Sequence, residues 1–343
     1  MWTRFESPSR PSRRTFTFLI FAVVLAVTTS VTAQTRTLRL ASTPWSPFTN
    51  EPGKARFALD LVHKALERMG IKADTAIIAE GRLTPALING EFDGSAALWK
   101  DDARQKALIY SQPYLENRLV LVGRKDSDVS AKALTDLSGK RLALVEGYAY
   151  GDAVKNPKGP TYIGSLSEED SIQKLLSGGA DYTLMDQLVV EYLLKNYPEE
   201  ARSRLSFGST PLLVRTLHFA VNRKLPDAQR IVDVFNAELL KMIADRSYHQ
   251  LLQLDWIEAD VDGDGRLEYV PRYDQVGPNL PDHSYQLFTN RSTYDSGPKP
   301  NSRFYLGGKV YSSWSAVPDA HKVPRAPGTF SDGAQFSIFT FKF

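Results

Sequence analysis

Residues 93–114 read DGSAALWKDDARQKALIYSQPY. The order is a strand of small residues, a charged turn carrying Arg104, and the group Ser111-Gln-Pro-Tyr114. An arginine in such a turn can hold the carboxylate of a small molecule. Its planar fork donates two parallel hydrogen bonds and stays charged when partly desolvated. An isolated arginine is more often a solvated surface charge, so the neighbouring sequence decides.

That neighbourhood reads as a βα series. Leu38 to Ala41 suits a short strand, followed by the aromatic loop Pro44-Trp-Ser-Pro-Phe48. Phe57, Leu61, Val62, Ala65, Leu66 and Met69 then fall near helical spacing before Gly70, a natural stop. Ala73 to Ala79 reads as the next strand, Arg82 to Asn89 as a short helix closed by Gly90, and Gly94 to Leu98 as a third strand. Alternation of this kind implies a parallel sheet flanked by helices.

From Thr37 to Trp256 the chain resembles the type 2 periplasmic solute-binding proteins that bind amino acids, family 3 of the bacterial extracellular solute-binding proteins. The resemblance rests on several motifs. They are the aromatic loop with Trp45 and Phe48, the helix start Ala58-Leu-Asp-Leu-Val62, the segment Leu87-Ile-Asn-Gly-Glu-Phe-Asp93 and the turn Asp101-Asp-Ala-Arg104 with Tyr110-Ser-Gln-Pro-Tyr114 after it. Family members carry Thr-Pro-Glu-Arg at that turn, so the arginine is kept and Asp101 replaces a threonine. In the second half, Ala133-Leu-Thr-Asp-Leu-Ser-Gly-Lys-Arg-Leu-Ala-Leu-Val145 resembles the start of the second lobe. Glu146-Gly-Tyr-Ala-Tyr150 stands where the family places a glycine and small hydroxyl residues, and Ala180 to Asp186 matches a strand ending in an aspartate.

The resemblance implies an α/β fold of two lobes joined by two crossing hinge strands, with a C-terminal extension. The lobes are expected at 34–123 with 217–257 and at 124–216, closing about Val122 and Val221. It also implies a ligand site. Arg104 and Asp101 would stand at the ligand's carboxylate, Asp186 at its ammonium group, Trp45, Phe48 and Trp99 against its body, and Gly147 and Tyr148 in the closing loop. Trp45 and Trp99 suit core packing as well as a pocket. The implied partner is an inner-membrane ABC permease or a sensor domain, and a monomer is expected. Two other readings stay open: a cyclohexadienyl-dehydratase-like enzyme using Asp101, Asp102 or Glu146 as the acid, and a calcium-stabilised envelope scaffold with a degenerate cleft.

At the N-terminus, Arg10, Arg13 and Arg14 precede an apolar run from Phe16 to Val27, and Val31-Thr-Ala33 ends it with small residues. Residues 1–33 are therefore expected to be a secretory signal peptide leading to the periplasm, by the general route ahead of the twin-arginine one. Without them the chain has 38 basic and 38 acidic residues. No net field would attract a nucleic-acid backbone, and the mature chain is not expected to span a membrane. Cysteine is absent, which excludes disulfides. The histidines, His63, His218, His249, His283 and His321, show no metal-ligand spacing, and no nucleophile-elbow or phosphate-loop pattern occurs.

A separate motif lies at 258–271. Asp260, Asp262 and Asp264 alternate before Gly265, as at the start of an EF-hand loop, with the Arg266 backbone carbonyl and Glu268 as further oxygen donors. Pro271 stands where such a loop places its bidentate glutamate. Structural calcium is expected here, the plainer alternative being a solvated acidic turn. From 272 to 343 the chain is rich in Gly, Pro, Ser and Tyr without helical period and is expected to wrap the lobes or be mobile. Its last residues, Phe336-Ser-Ile-Phe-Thr-Phe-Lys-Phe343, alternate apolar and polar like one added strand.

Overall fold

The computed structural model describes residues 1–2, 37–155, 158–282, 284–286 and 297–324. The expected signal peptide, beyond its first two residues, and the Phe336 to Phe343 stretch lie outside the described residues. The first lobe opens with β1 (Thr37–Ser42), α1 (Phe57–Arg68), β2 (Lys72–Ile77), α2 (Glu80–Asn89), β3 (Gly94–Trp99), α3 (Asp102–Gln105) and β4 (Leu108–Tyr110). In the second lobe, β5 (Leu115–Arg124) leads to β6 (Arg141–Val145), β7 (Thr161–Ser165), α4 (Glu168–Leu176), β8 (Tyr182–Asp186), α5 (Gln187–Asn196) and α6 (Pro198–Arg204). The long β9 (Leu205–Asn222) then returns to the first lobe ahead of α7 (Ala228–Ala244) and α8 (Ser247–Leu252).

The helical stripe read from the sequence is the face that packs. Ala58, Leu59, Leu61, Val62, Ala65 and Leu66 of α1 are all fully buried, and each Leu or Val so placed contributes about 1.5–3 kcal/mol relative to exposure. Gly70, at φ 73°, ends the helix in the left-handed conformation that costs glycine least. The Ile71 amide then returns to the Leu66 carbonyl at 2.9 Å.

One sheet runs through both lobes in the order β2-β1-β3-β9-β5-β8-β6-β7, with β4 added on β9. Neighbours β1, β2 and β3 are parallel, as are β6, β7 and β8, whereas β5 and β9 pair antiparallel. The two long strands belong to both lobes because β8 pairs with β5 from Leu119 to Gly123, while β3 and β4 pair with β9 from Leu217 to Asn222. Glu116 to Arg118 opposite Val214 to Thr216 is therefore the stretch between the lobes. Val122, opposite Thr183, and Val221, opposite Gly94, lie one on each side of it, inside the lobes rather than at the crossing.

The chain after α8 departs from expectation. Trp256 opens β10 (Trp256–Ala259), and the extension, read as a tail without period, folds as a five-stranded sheet with β11 (Glu268–Pro271), β12 (Tyr285–Gln286), β13 (Phe304–Leu306) and β14 (Lys309–Tyr311). The order is β12-β10-β11-β13-β14. Strand alternation gives this sheet two apolar faces. Ile257, Ala259 and Val270 join the main core, while Trp256 and Tyr269 face a smaller core with Phe304, Leu306 and Val317.

The extension grips the crossing strands through Arg118, which is fully buried. Its Nη2 donates to the Ser284 carbonyl at 2.5 Å, its Nε to Glu116 at 3.3 Å, and its guanidinium lies 4.4 Å from the Tyr285 ring centroid. Ser284 Oγ in turn donates to Glu258 of β10 at 3.0 Å.

Candidate ligand cleft

Ligands of open α/β sheets collect beyond the carboxyl ends of the strands, and there the two lobes face each other. The first lobe brings the loop after β1, the start of α2 after β2, and α3 after β3. The second brings the Gly147–Tyr150 turn after β6, the start of α4 after β7, and the end of β8.

Aromatic rings from both lobes meet at the centre. Trp45 and Trp99 lie edge-on at 5.5 Å between centroids, and Tyr148 approaches them at 5.6 and 5.4 Å. Tyr150 stands 5.6 Å from Trp99. Such edge contacts are each worth about 0.5–1.5 kcal/mol beyond the area they bury. A polar contact joins the lobes beside them, from the Trp45 indole Nε1 to Glu168 Oε1 at 2.9 Å. Trp45, Trp99, Gly147 and Tyr148 thus come together as the sequence placed them. Phe48 does not border the cleft, since it is fully buried behind Trp45 at 4.4 Å.

Arg104 forms the floor. It is 5% exposed, and its Nε has no hydrogen-bond partner. Asp101 is the N-cap of α3: its Oδ1 accepts from the amides of Ala103 at 2.9 Å and Arg104 at 3.1 Å, and it lies 3.9 Å from Arg104 Nε. A cavity of about 30 Å³ borders Arg104, Thr43, Glu80 and Tyr148, room for a water molecule or two. A larger recess of about 410 Å³ shares Thr43, Glu80, Gly147 and Tyr148, the size of small-molecule pockets.

Asp186 was expected to face a ligand's ammonium group, and the structure places it otherwise. It is fully buried. Its Oδ1 caps α5 through the Leu188 amide at 2.8 Å, and its Oδ2 accepts from Asn117 Nδ2 at 3.0 Å. Asn117, on β5, also accepts from the Trp99 indole at 2.8 Å. Asp186 is thus linked to the cleft through Asn117 and Trp99.

Several cleft residues were not singled out from the sequence. Glu80 opens α2 directly after β2, and that strand-end position was the available signal. Arg215 comes from the crossing stretch and donates to the Lys100 carbonyl at 2.8 Å. Burial, and then the nearby Arg104 charge, lower its pKa. Gly147, at φ 86°, crosses close to Glu80, and a Cβ there would stand 3.3 Å from Glu80 Cγ and Oε1.

Two acids in this region hold their protons unusually well. Burial pushes Glu168 up to about 8 against the Trp45 hydrogen bond, with the Asp186 and Glu169 charges adding to the rise. Burial pushes Asp186 up to about 7 against its bonds from Asn117 and Leu188. Both keep a proton in the folded protein at pH values where the unfolded chain has released it, so rising pH removes stability until the folded pKa is passed. His218 and His249, lowered by burial to about 4 and about 3, act in the opposite sense only below the ordinary histidine value of 6.5. The melting temperature is therefore expected to fall between pH 6.5 and 8, and Glu168→Gln to make that fall shallower. Parallel curves for parent and variant in scanning calorimetry would contradict this.

The acidic loop joins β10 to β11. Asp260 closes it by accepting from the Gly263 amide at 2.7 Å and the Gly265 amide at 2.9 Å. Asp260, Asp262 and Glu268 each bring a carboxylate oxygen within 4.8 Å of the others, a donor set of the kind a hard cation takes. An arginine reaches the same carboxylates. Arg303 Nη2 lies 2.8 Å from Asp262, and its Nη1 lies 2.8 Å from Asp264 Oδ2 and 2.9 Å from the buried Glu268. Arg266 is exposed, and its amide donates to Asp264 at 2.9 Å.

Comparison with known proteins agrees with this architecture. Residues 39–258 match the family model of the bacterial extracellular solute-binding proteins, family 3. The chain is 24% identical over 198 residues to the ABC transporter arginine-binding protein 1 of Escherichia coli, covering 57% of this chain and 79% of that protein. It is 28% identical over 117 residues to the virulence sensor protein BvgS of Bordetella pertussis, covering 34% of this chain and only 9% of the sensor. Among solved structures, a mutant of the arginine-binding protein of T. maritima superposes with a TM-score of 0.53 at 24% identity, covering 63% of this chain and 93% of that one. Among the described residues no helix is long and apolar enough to cross a membrane. With the two-lobed sheet, the crossing strands and the family match over most of both lobes, the chain belongs to the bacterial extracellular solute-binding proteins of family 3.

Proposed function

We propose that this protein binds a small carboxylate-bearing solute, an amino acid or a derivative, between its lobes in the periplasm and presents it to an inner-membrane ABC permease. The observation that carries the reading is Arg104: a buried guanidinium at the strand ends, with Nε unpartnered, beneath an aromatic wall built by both lobes. The solute's carboxylate meets that guanidinium from the recess, and the lobes turn about Glu116 to Arg118 and Val214 to Thr216 as they close. Binding is favoured over dehydratase chemistry because Asp101, the acid beside Arg104, already serves two backbone amides. A thermal-shift screen of the mature chain against amino acids and their derivatives tests the reading. Stabilisation by a carboxylate-bearing member supports it, and a flat response across the panel contradicts it.

The acidic loop is proposed to take calcium in exchange for Arg303, with Asp260, Asp262, Asp264, Glu268 and the Arg266 carbonyl as donors and a structural role at the start of the extension. A ligand held only by the folded state stabilises it by about 2.7 kcal/mol at 100 times its Kd. Calcium should therefore raise the melting temperature, and raise it more in Arg303→Ala, where the competing guanidinium is gone. No calcium response in either protein would reduce the loop to an acidic turn neutralised by Arg303.

A further inference from the structure

The proposed carboxylate anchor leaves open what receives the positive end of the solute. Asp186 is fully buried, with one oxygen capping α5 and the other accepting from Asn117 of the crossing strand. Glu80 borders both the small cavity at Arg104 and the 410 Å³ recess, and among the described residues it makes no ion pair within 4.0 Å. Burial raises its pKa, while the Thr43 side chain and the Arg104 charge favour its ionised form. Gly147 lets the second lobe pass close to it without a side chain between them.

The two spaces differ in the charges that line them. Arg104 and Glu80 line the small cavity, whereas the recess is lined by Glu80 and Glu146 and by no lysine, arginine or histidine. An arginine beside the small cavity and two glutamates along the recess complement a solute with one carboxylate and two cationic groups.

We propose that Glu80 is the counter-ion for the solute's cationic end, and that the cleft selects cationic amino acids over neutral ones of the same shape. This rests on the reading of Arg104 as the carboxylate anchor. An exposed charge pair contributes little, but a partly buried carboxylate that gains a cation at hydrogen-bond distance discriminates strongly against a neutral isostere, because the neutral solute leaves it unpaired.

L-Arginine and L-citrulline differ mainly in the charge of the side-chain end group, so they test the proposal without altering the protein. In calorimetric titrations of the mature chain, arginine is expected to bind at least about tenfold more tightly than citrulline. In Glu80→Gln that preference should fall to within about threefold, with citrulline affinity little changed. Equal affinities in the parent, or a preference that survives Glu80→Gln, would overturn the assignment of Glu80. A citrulline-like neutral solute that binds tightly and depends on Arg104 would overturn the selectivity while leaving the anchor intact. Failure of every amino acid to bind would overturn both.

Discussion

Arg104→Ala is expected to weaken binding of a carboxylate solute by about ten- to a hundredfold or more while leaving the melting temperature within a few degrees of the parent. Charge-assisted bidentate hydrogen bonds are worth about 1.5–3 kcal/mol, and more where both partners are desolvated. Arg104 is nearly buried, its Nε has no hydrogen-bond partner, and its Asp101 neighbour is held chiefly by backbone amides. Removing the guanidinium therefore strips the site of its anchor without breaking a network that the fold depends on. Unchanged calorimetric affinity in the variant, with circular dichroism showing a folded chain, would rule out the carboxylate anchor.

Arg118→Ala is expected to act on the fold instead. Arg118 is fully buried between Glu116, the Ser284 carbonyl and the Tyr285 ring, and it ties the extension to the strands that cross between the lobes. Removing one member of a buried ion pair costs about 3–5 kcal/mol, because the remaining charge stays desolvated without its partner. Urea unfolding should report a loss of that order, and protease should cut sooner near Tyr285. A loss below about 1 kcal/mol with an unchanged cleavage pattern would mean that the extension is held by its apolar contacts alone.

The first lobe was legible because its signals are local. The stripe on α1, the stops at Gly70 and Gly90 and the strand-turn order around Arg104 all lie within a few residues of the feature they decide. Asp186 shows where this fails. An aspartate between a strand and a helix suits a ligand contact and an N-cap equally, and the choice is made by Asn117, distant in sequence on β5. The extension was opaque for a related reason. Its strands are two to four residues long, too short for periodicity to register, and they exist through pairing with one another and packing on Ile257 and Val270. Arg303 likewise reaches the acidic loop from β13's flank, and nothing within 258–271 announces a competing cation. Glu80 was readable, since it directly follows a strand that was recognised.

The central claim is that a guanidinium at position 104 meets the solute's carboxylate, and it can be tested from the solute's side with the protein unaltered. The measurement is a pair of calorimetric titrations of the mature chain, one with the tightest-binding amino acid found in the thermal-shift screen and one with its carboxamide, in which the carboxylate is replaced by a neutral group of nearly the same shape. A loss of at least tenfold for the carboxamide, largely absent in Arg104→Ala, is the predicted result. Equal affinity for the acid and the amide in the parent protein would contradict it.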